Sequence, residues 1–375
     1  MKRQVVISGI GLISSLGEGV EPHLAAIKGG VAPVVDVEHF APYPVHPMVS
    51  LELDRQIPKK SDQRQMEAWQ RLGVYAAGLA LDSAGLKDDV EAKSRLQVIV
   101  AAGGGERDHA VDGAILTGLK TAANPGTFLN ERLLGDLRPT LFLAQLSNLL
   151  AGNISIVHGI TGASRTFMGE EQAGVDAIRI AHARVAAGQA DMILVGGSYN
   201  AERRDMLLLF ETGGMLRRGS FAPVFERTDA PGMITGSQAA FLVIESADHA
   251  KARGAKAHAV LNGVAAGRTK RAAGQVEATL VALCANLGSS NADLVLSAAT
   301  GVADVTSEEA EALATVAPDA RRIATGDLVG HGVEAAFPVS IALAAAALAQ
   351  QAATDVLVTG AGHWRGEGAA RLTRA

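Results

Sequence analysis

Residues 165–197 read RTFMGEEQAGVDAIRIAHARVAAGQADMILVGG: a turn, a helix of mostly small residues, and a strand ending in Gly196 and Gly197. A short continuous apolar run bounded by glycine suits a strand buried on both faces. The helix opens on Glu170, Glu171 and Gln172. Acids in a first turn complement the helix dipole. Two adjacent carboxylates could also serve as working acid and base, but the dipole explains them without any chemistry.

The same unit recurs on both sides of this stretch. QVVISGIG, QVIVAAGGG, LVLSAATG and DVLVTGAG are further β-branched runs that end in glycine. Helical spacing separates them over Met66–Ala84, Gln172–Ala187, Gln275–Leu287, Ser307–Ala314 and Val333–Gln350. Such alternation predicts an α/β protein with helices against largely parallel or mixed sheets. It occurs twice, over residues 1–250 and 251–375, which are expected to share one compact body. GSQAAFLVIES and AHAVLNGVAAG, neighbours within residues 236–267, are expected to pair antiparallel. Val31 to Lys60 reads as a surface excursion, and Glu106 to Pro139 as an irregular or helical insert.

Composition narrows the function. The chain has 375 residues, 48% hydrophobic and 4% aromatic, with 42 Gly. A core of Ala, Val, Leu and Gly implies closely packed layers. The net charge of -5 gives no reason to expect nucleic acid as a partner. The one cysteine, Cys284, falls in an apolar helical pattern and reads as a buried core thiol. The opening MKRQVVISGIG lacks the long apolar segment of a signal peptide, and the longest apolar run, Phe337 to Ala349, is too short to span a bilayer. A cytoplasmic location is expected. Gly9, Gly11 and Gly17 are not spaced as a dinucleotide fingerprint; close strand–helix approach accounts for them better. His158 and His182 sit alone in apolar patterns and read as structural. No ligand pair calls for a metal, and no cofactor is expected.

Taken in order, the segments resemble the β-ketoacyl-acyl-carrier-protein synthases of the thiolase fold. RQVVISGIGLISSLGEGVEPHLAAIKGG is similar to that family's opening strand and first helix, and RQMEAWQRLGVYAAGLALDSAGL to the long helix that follows. LSNLLAGNISIVHGITGASRTF resembles the approach to the nucleophile, and APVFERTDAPGMITGSQAAFLVIES a segment usually near R-P-F-D-x-x-R-D-G-F-x-x-G-E-G-A. The resemblance implies two pseudo-repeated halves in five layers, α/β/α/β/α.

It also shows what is missing. Active members use a cysteine at the helix N-terminus, where the dipole favours the thiolate, and two histidines. Ungapped counting back from Gly188, Asp191 and Gly196 puts Glu171 at the cysteine position, and a one-residue shift puts Gln172 there. The first histidine's place falls at Ala298, Ala299 or Thr300. The second histidine's motif, K-x-x-x-G-H, keeps Gly330 and His331 but has Gly326 for the lysine. The final G-F-G-G-T-N turn survives only as GAGHWRGEGAA, where Trp364 is expected to fill part of a phenylalanine's space. His331 reads as a remnant, and condensation by this chain alone is not expected.

A cysteine-free relative, the chain-length factor of type II polyketide systems, carries a similar stretch to GEEQAGVDAI. The resemblance implies a non-catalytic subunit paired with an active synthase, fed by an acyl carrier protein. Lys59, Lys60, Arg64, Arg203, Arg204, Arg217 and Arg218 are candidate docking cations. Two alternatives stay open: a malonyl-carrier-protein decarboxylase using Gln172 and His331, and a homodimeric acyl-binding protein. Whether Phe167, Met168 and Trp364 plug the acyl pocket is open as well.

Overall fold

The computed structural model describes residues 2–137, 142–143, 145–288 and 291–375. Its first half supplies strands β1 (Val5–Ser14), β2 (Gln97–Ala101), β3 (Ser164–Phe167), β4 (Met192–Tyr199) and β5 (Gln238–Ser246). The second half supplies β6 (Ala259–Gly267), β7 (Leu294–Ser297), β8 (Arg321–Ala324), β9 (Asp355–Ala361) and β10 (Glu367–Thr373). Hydrogen bonding orders them β8-β7-β9-β10-β6-β1-β5-β4-β2-β3. Each half therefore repeats one order, 3-2-4-5-1 and 8-7-9-10-6. In each, four strands run one way and one, β5 or β10, runs against them. The halves join at a narrow seam where Val6 and Ile7 pair with Val260 and Ala259.

This order corrects one expectation. The segments at 236–246 and 257–267 are not paired with each other. β1 lies between them, antiparallel to both. Neighbours in sequence were separated because a ten-residue strand, buried throughout, took the central position.

Six helices make the remaining layers. α1 (Ala68–Ser83) and α2 (Leu149–His158) cover the outer face of the first half, and α4 (Gln275–Leu287) and α5 (Ala303–Val316) that of the second. α3 (Glu170–Ala186) and α6 (Ala336–Ala349) lie between the two halves of the sheet and touch strands of both. α6 is buried from Ala336 to Leu348, as an all-apolar helix must be. Small residues permit this: a Cβ on Gly174 of α3 would lie 2.5 Å from the Glu334 carbonyl just before α6. On the outer face, a Cβ on Gly11 would collide with the Ala76 carbonyl of α1. The close-approach reading holds for Gly9 and Gly11, which lie within β1; Gly17 lies beyond it at φ 128°, where a Cβ would meet only Pro22 at 3.5 Å.

Smaller differences are local. α5 is longer than expected, 303–316 rather than 307–314. The insert after Glu106 contains two helices, His109–Leu119 and Pro125–Gly135, and its expected end at Pro139 lies outside the described residues. Cys284 is buried, and His158 Nε2 bonds the Val74 carbonyl at 2.8 Å. Among the described residues no helix is long and apolar enough to cross a membrane.

Candidate functional site

α3 and α6 occupy equivalent places in the two halves, and the chain entering each carries one member of the site. The turn into α3 is strained: Gly169 has φ 114° and Glu170, not a glycine, has φ 30°. Glu170 turns outward and meets Arg365 at 3.4 Å. Glu171, one residue on, is buried.

Its Oε1 accepts two hydrogen bonds, from His331 Nε2 at 2.8 Å and from His363 Nδ1 at 2.7 Å. For both to form, His331 must carry its proton on Nε2 and His363 on Nδ1. These are direct hydrogen-bond distances, so nothing stands between the three side chains. Burial pushes the Glu171 carboxyl up, but the two imidazole donors outweigh it and hold the group well below the usual carboxylate range. It is a carboxylate at neutral pH. Oε2 has no protein partner, and the cavity beside it, walled by Val175, Ala298, Phe337 and Gly360, measures about 10 Å³. That is room for about one water and no acyl group.

Each histidine is placed by backbone contacts. His331 donates its N–H to the Ile234 carbonyl at 2.8 Å, which fixes the chain before α6. His363 stands in the tight turn between β9 and β10. Arg271 donates Nη2 to the carbonyls of Gly362 at 2.6 Å and Gly366 at 3.2 Å, and meets Glu367. The His363 ring packs edge-on against Phe210, centroids 5.6 Å apart.

A second buried carboxyl lies nearby. Glu334 Oε1 accepts one bond, from the Gly103 N–H at 2.9 Å. Burial pushes this group up to about 7; the backbone bonds and Arg203 pull it down, and the Glu171 charge pushes it up.

The expected residues fall out as follows. Glu171, not Gln172, occupies the site; Gln172 turns aside and donates to Asp176 at 3.0 Å. Ala299 and Thr300 form the buried turn after β7, where Thr300 Oγ1 accepts from the Val302 N–H at 3.1 Å. Gly326 is buried in a short helix beside Val224. His331 was read as a remnant without partners; it has Glu171. Trp364 is 58% exposed and Met168 71%, so neither plugs the centre. The ring at the heart of that turn is His363. Sequence reasoning missed His363 and Glu334; the one signal was a histidine in an otherwise glycine-rich turn.

Two docking cations need correction. Arg203 and Arg217 are buried. Arg203 donates to the Gly104 and Gly105 carbonyls and pairs with Asp205, and Arg217 donates to the Ser220 and Ala230 carbonyls. A guanidinium has five donors and can knit loops together from within, which a count of basic residues does not reveal. Lys59, Lys60, Arg64, Arg204 and Arg218 are exposed; Lys60 pairs with Asp54 and Arg218 with Glu211.

Residues 2–250 match the model of the β-ketoacyl synthase N-terminal domain. The chain belongs to the β-ketoacyl synthase family. It is 28% identical over 279 residues to the 3-oxoacyl-[acyl-carrier-protein] synthase 2 of Vibrio cholerae, covering 70% of this chain and 62% of that one. The chain thus spans a little over three fifths of that relative. It is also 28% identical over 332 residues to the tetracenomycin polyketide synthase ketoacyl synthase beta subunit of Streptomyces glaucescens, covering 83% of this chain and 77% of that one. Among solved structures, the ishigamide ketosynthase/chain length factor superposes over 100% of both chains with TM-score 0.83 at 22% identity. The thiolase-like layers seen here are those of a β-ketoacyl synthase.

Proposed function

We propose that this β-ketoacyl synthase relative is a non-catalytic subunit. It pairs with a cysteine-bearing synthase in carrier-protein-dependent chain elongation, and shapes chain length or stabilises its partner. One observation carries the reading: the position that opens α3 holds a carboxylate whose Oε1 is bonded by both nearby histidines. A carboxylate so held is a poor nucleophile, its cavity admits no substrate, and its charge opposes any developing oxyanion. The decarboxylase alternative loses its residue, because Gln172 is bonded to Asp176 outside the centre.

Pairing has its own support. Among the described residues β3 is the last strand of the sheet and bonds only to β2. An open edge invites another strand, and Ile156 and Met168 beside it are 72% and 71% exposed. The relative named a ketoacyl synthase beta subunit fits the same reading. The exposed Lys59 and Arg64 remain candidates for docking an acyl carrier protein, an acidic partner.

Native mass spectrometry of the tagged protein from its own cells tests this. A one-to-one complex with a cysteine-bearing synthase is expected, with shorter or fewer products when this chain is withheld from the reconstituted pair. A homodimer at native expression, or condensation by this chain alone, would overturn it.

A further inference from the structure

A second cleft, of about 440 Å³, opens on the outer face where the loop 224–231 meets the start of α5. Phe225, Arg227, Thr228, Pro231, Ala303 and Asp304 line it. Arg227 is 4% exposed. Nε donates to the Ala222 carbonyl at 2.8 Å and Nη1 to the Gly232 carbonyl at 2.9 Å, while Nη2 has no protein partner. Among the described residues Arg227 forms no ion pair. Asp327 attracts it from farther away, but that carboxylate already accepts the Val224 N–H at 2.7 Å. A buried guanidinium without a carboxylate is costly unless something supplies the missing acceptor.

The start of α5 supplies the other half of a site. Its N-cap, Val302, provides no side-chain acceptor, so the first-turn N–H groups are uncapped. The guanidinium sits against this end: a Cβ on Gly301, two residues before α5, would lie 2.6 Å from Arg227 Nη1. A helix N-terminus and an unpaired buried cation therefore face one cleft. Asp304, in the first turn of α5, and Glu311 also line the cleft; their carboxylates oppose a bound anion, so Arg227 must supply the net attraction.

We propose that this cleft binds an oxyanion on a small molecule, a carboxylate or a phosphate monoester, held by Arg227 Nη2 and the first-turn N–H groups of α5. The site is separate from the Glu171 centre and does not depend on the subunit reading.

Isothermal titration of the full chain, with its partner if one co-purifies, tests it with inorganic phosphate and with malonate against chloride at constant ionic strength. Saturable binding of at least one probe is expected, weakened about tenfold or more by Arg227→Gln. Tighter phosphate points to a phosphate monoester, tighter malonate to a carboxylate. Should Arg227→Gln not fold, Ala310→Glu, on the half-buried cleft wall, is expected to abolish the same binding. Heat no different from chloride, or binding unchanged by both substitutions, overturns the proposal.

Discussion

Two buried glutamates a short way apart in the central layer behave in opposite ways. Glu171 and Glu334 both lose water on folding, yet Glu171 is held as a carboxylate and Glu334 is pushed up to about 7. The difference is their donors. Two imidazoles bond Glu171 Oε1, whereas Glu334 has only backbone N–H groups, its own and that of Gly103. Burial raises a carboxyl's pKa everywhere, and only directed hydrogen bonds reverse it. The fold has thus placed a charge at the start of α3 and has built the partners to hold it.

Removing Glu171 should break this contrast most severely. Glu171→Ala strands two buried imidazoles and is expected to cost about 4 kcal/mol of stability in urea unfolding. A loss below about 1 kcal/mol would mean the three side chains are not bonded in solution.

Protonation sharpens the contrast further. The folded-state pKa of Glu171 is depressed, so its contribution is present above the ordinary carboxylate range and lost progressively as pH falls from that range down through the depressed folded value. Glu334 has the opposite sign: its folded pKa of about 7 lies above the reference 4.5, so stability falls as pH rises from about 4.5 to 7. Glu334→Gln should remove that loss, gaining about 3 kcal/mol at pH 8 relative to the same comparison at pH 4. Equal stability differences at both pH values would show that Glu334 does not titrate there.

His363→Phe tests the donors one at a time. It leaves His331 on Glu171, so a loss of about 2 kcal/mol and an acid-unfolding midpoint shifted to higher pH are expected. An unmoved midpoint would assign the Glu171 charge to His331 alone. The smallest effect is expected from Gly103→Ala, whose Cβ would lie 2.7 Å from Glu334 Oε1. The flexible carboxyl should swing aside for about 1 kcal/mol, and hydrogen exchange at residue 103 should rise if the N–H loses its acceptor.

The parts of the fold legible beforehand were those with local causes. Apolar runs such as Met192–Tyr199 are strands because their residues suit burial on both faces. Gln275–Leu287 is a helix with the bounds its periodicity predicts. Pairing was less legible: whether β5 would meet β6 depended on β1 coming from some 230 residues away to lie between them. The docking cations failed for a related reason, since Arg203 and Arg217 look like any surface arginines until the loops they bind are folded around them.

At the site, the sequence by itself determined that no thiol stands near the start of α3 and narrowed the residue expected there to Glu171 or Gln172. Glycine, the helix opening and the strand behind it are all contiguous there, so counting comes within one residue. Only the tertiary structure decided that Glu171 stands there and what its carboxylate does. His331 and His363 lie 160 and 192 residues from Glu171 along the chain, in turns whose local chemistry says nothing of a shared partner. A hydrogen bond needs its atoms within about 3 Å, and only the stacking of the two halves on α3 and α6 brings them that close.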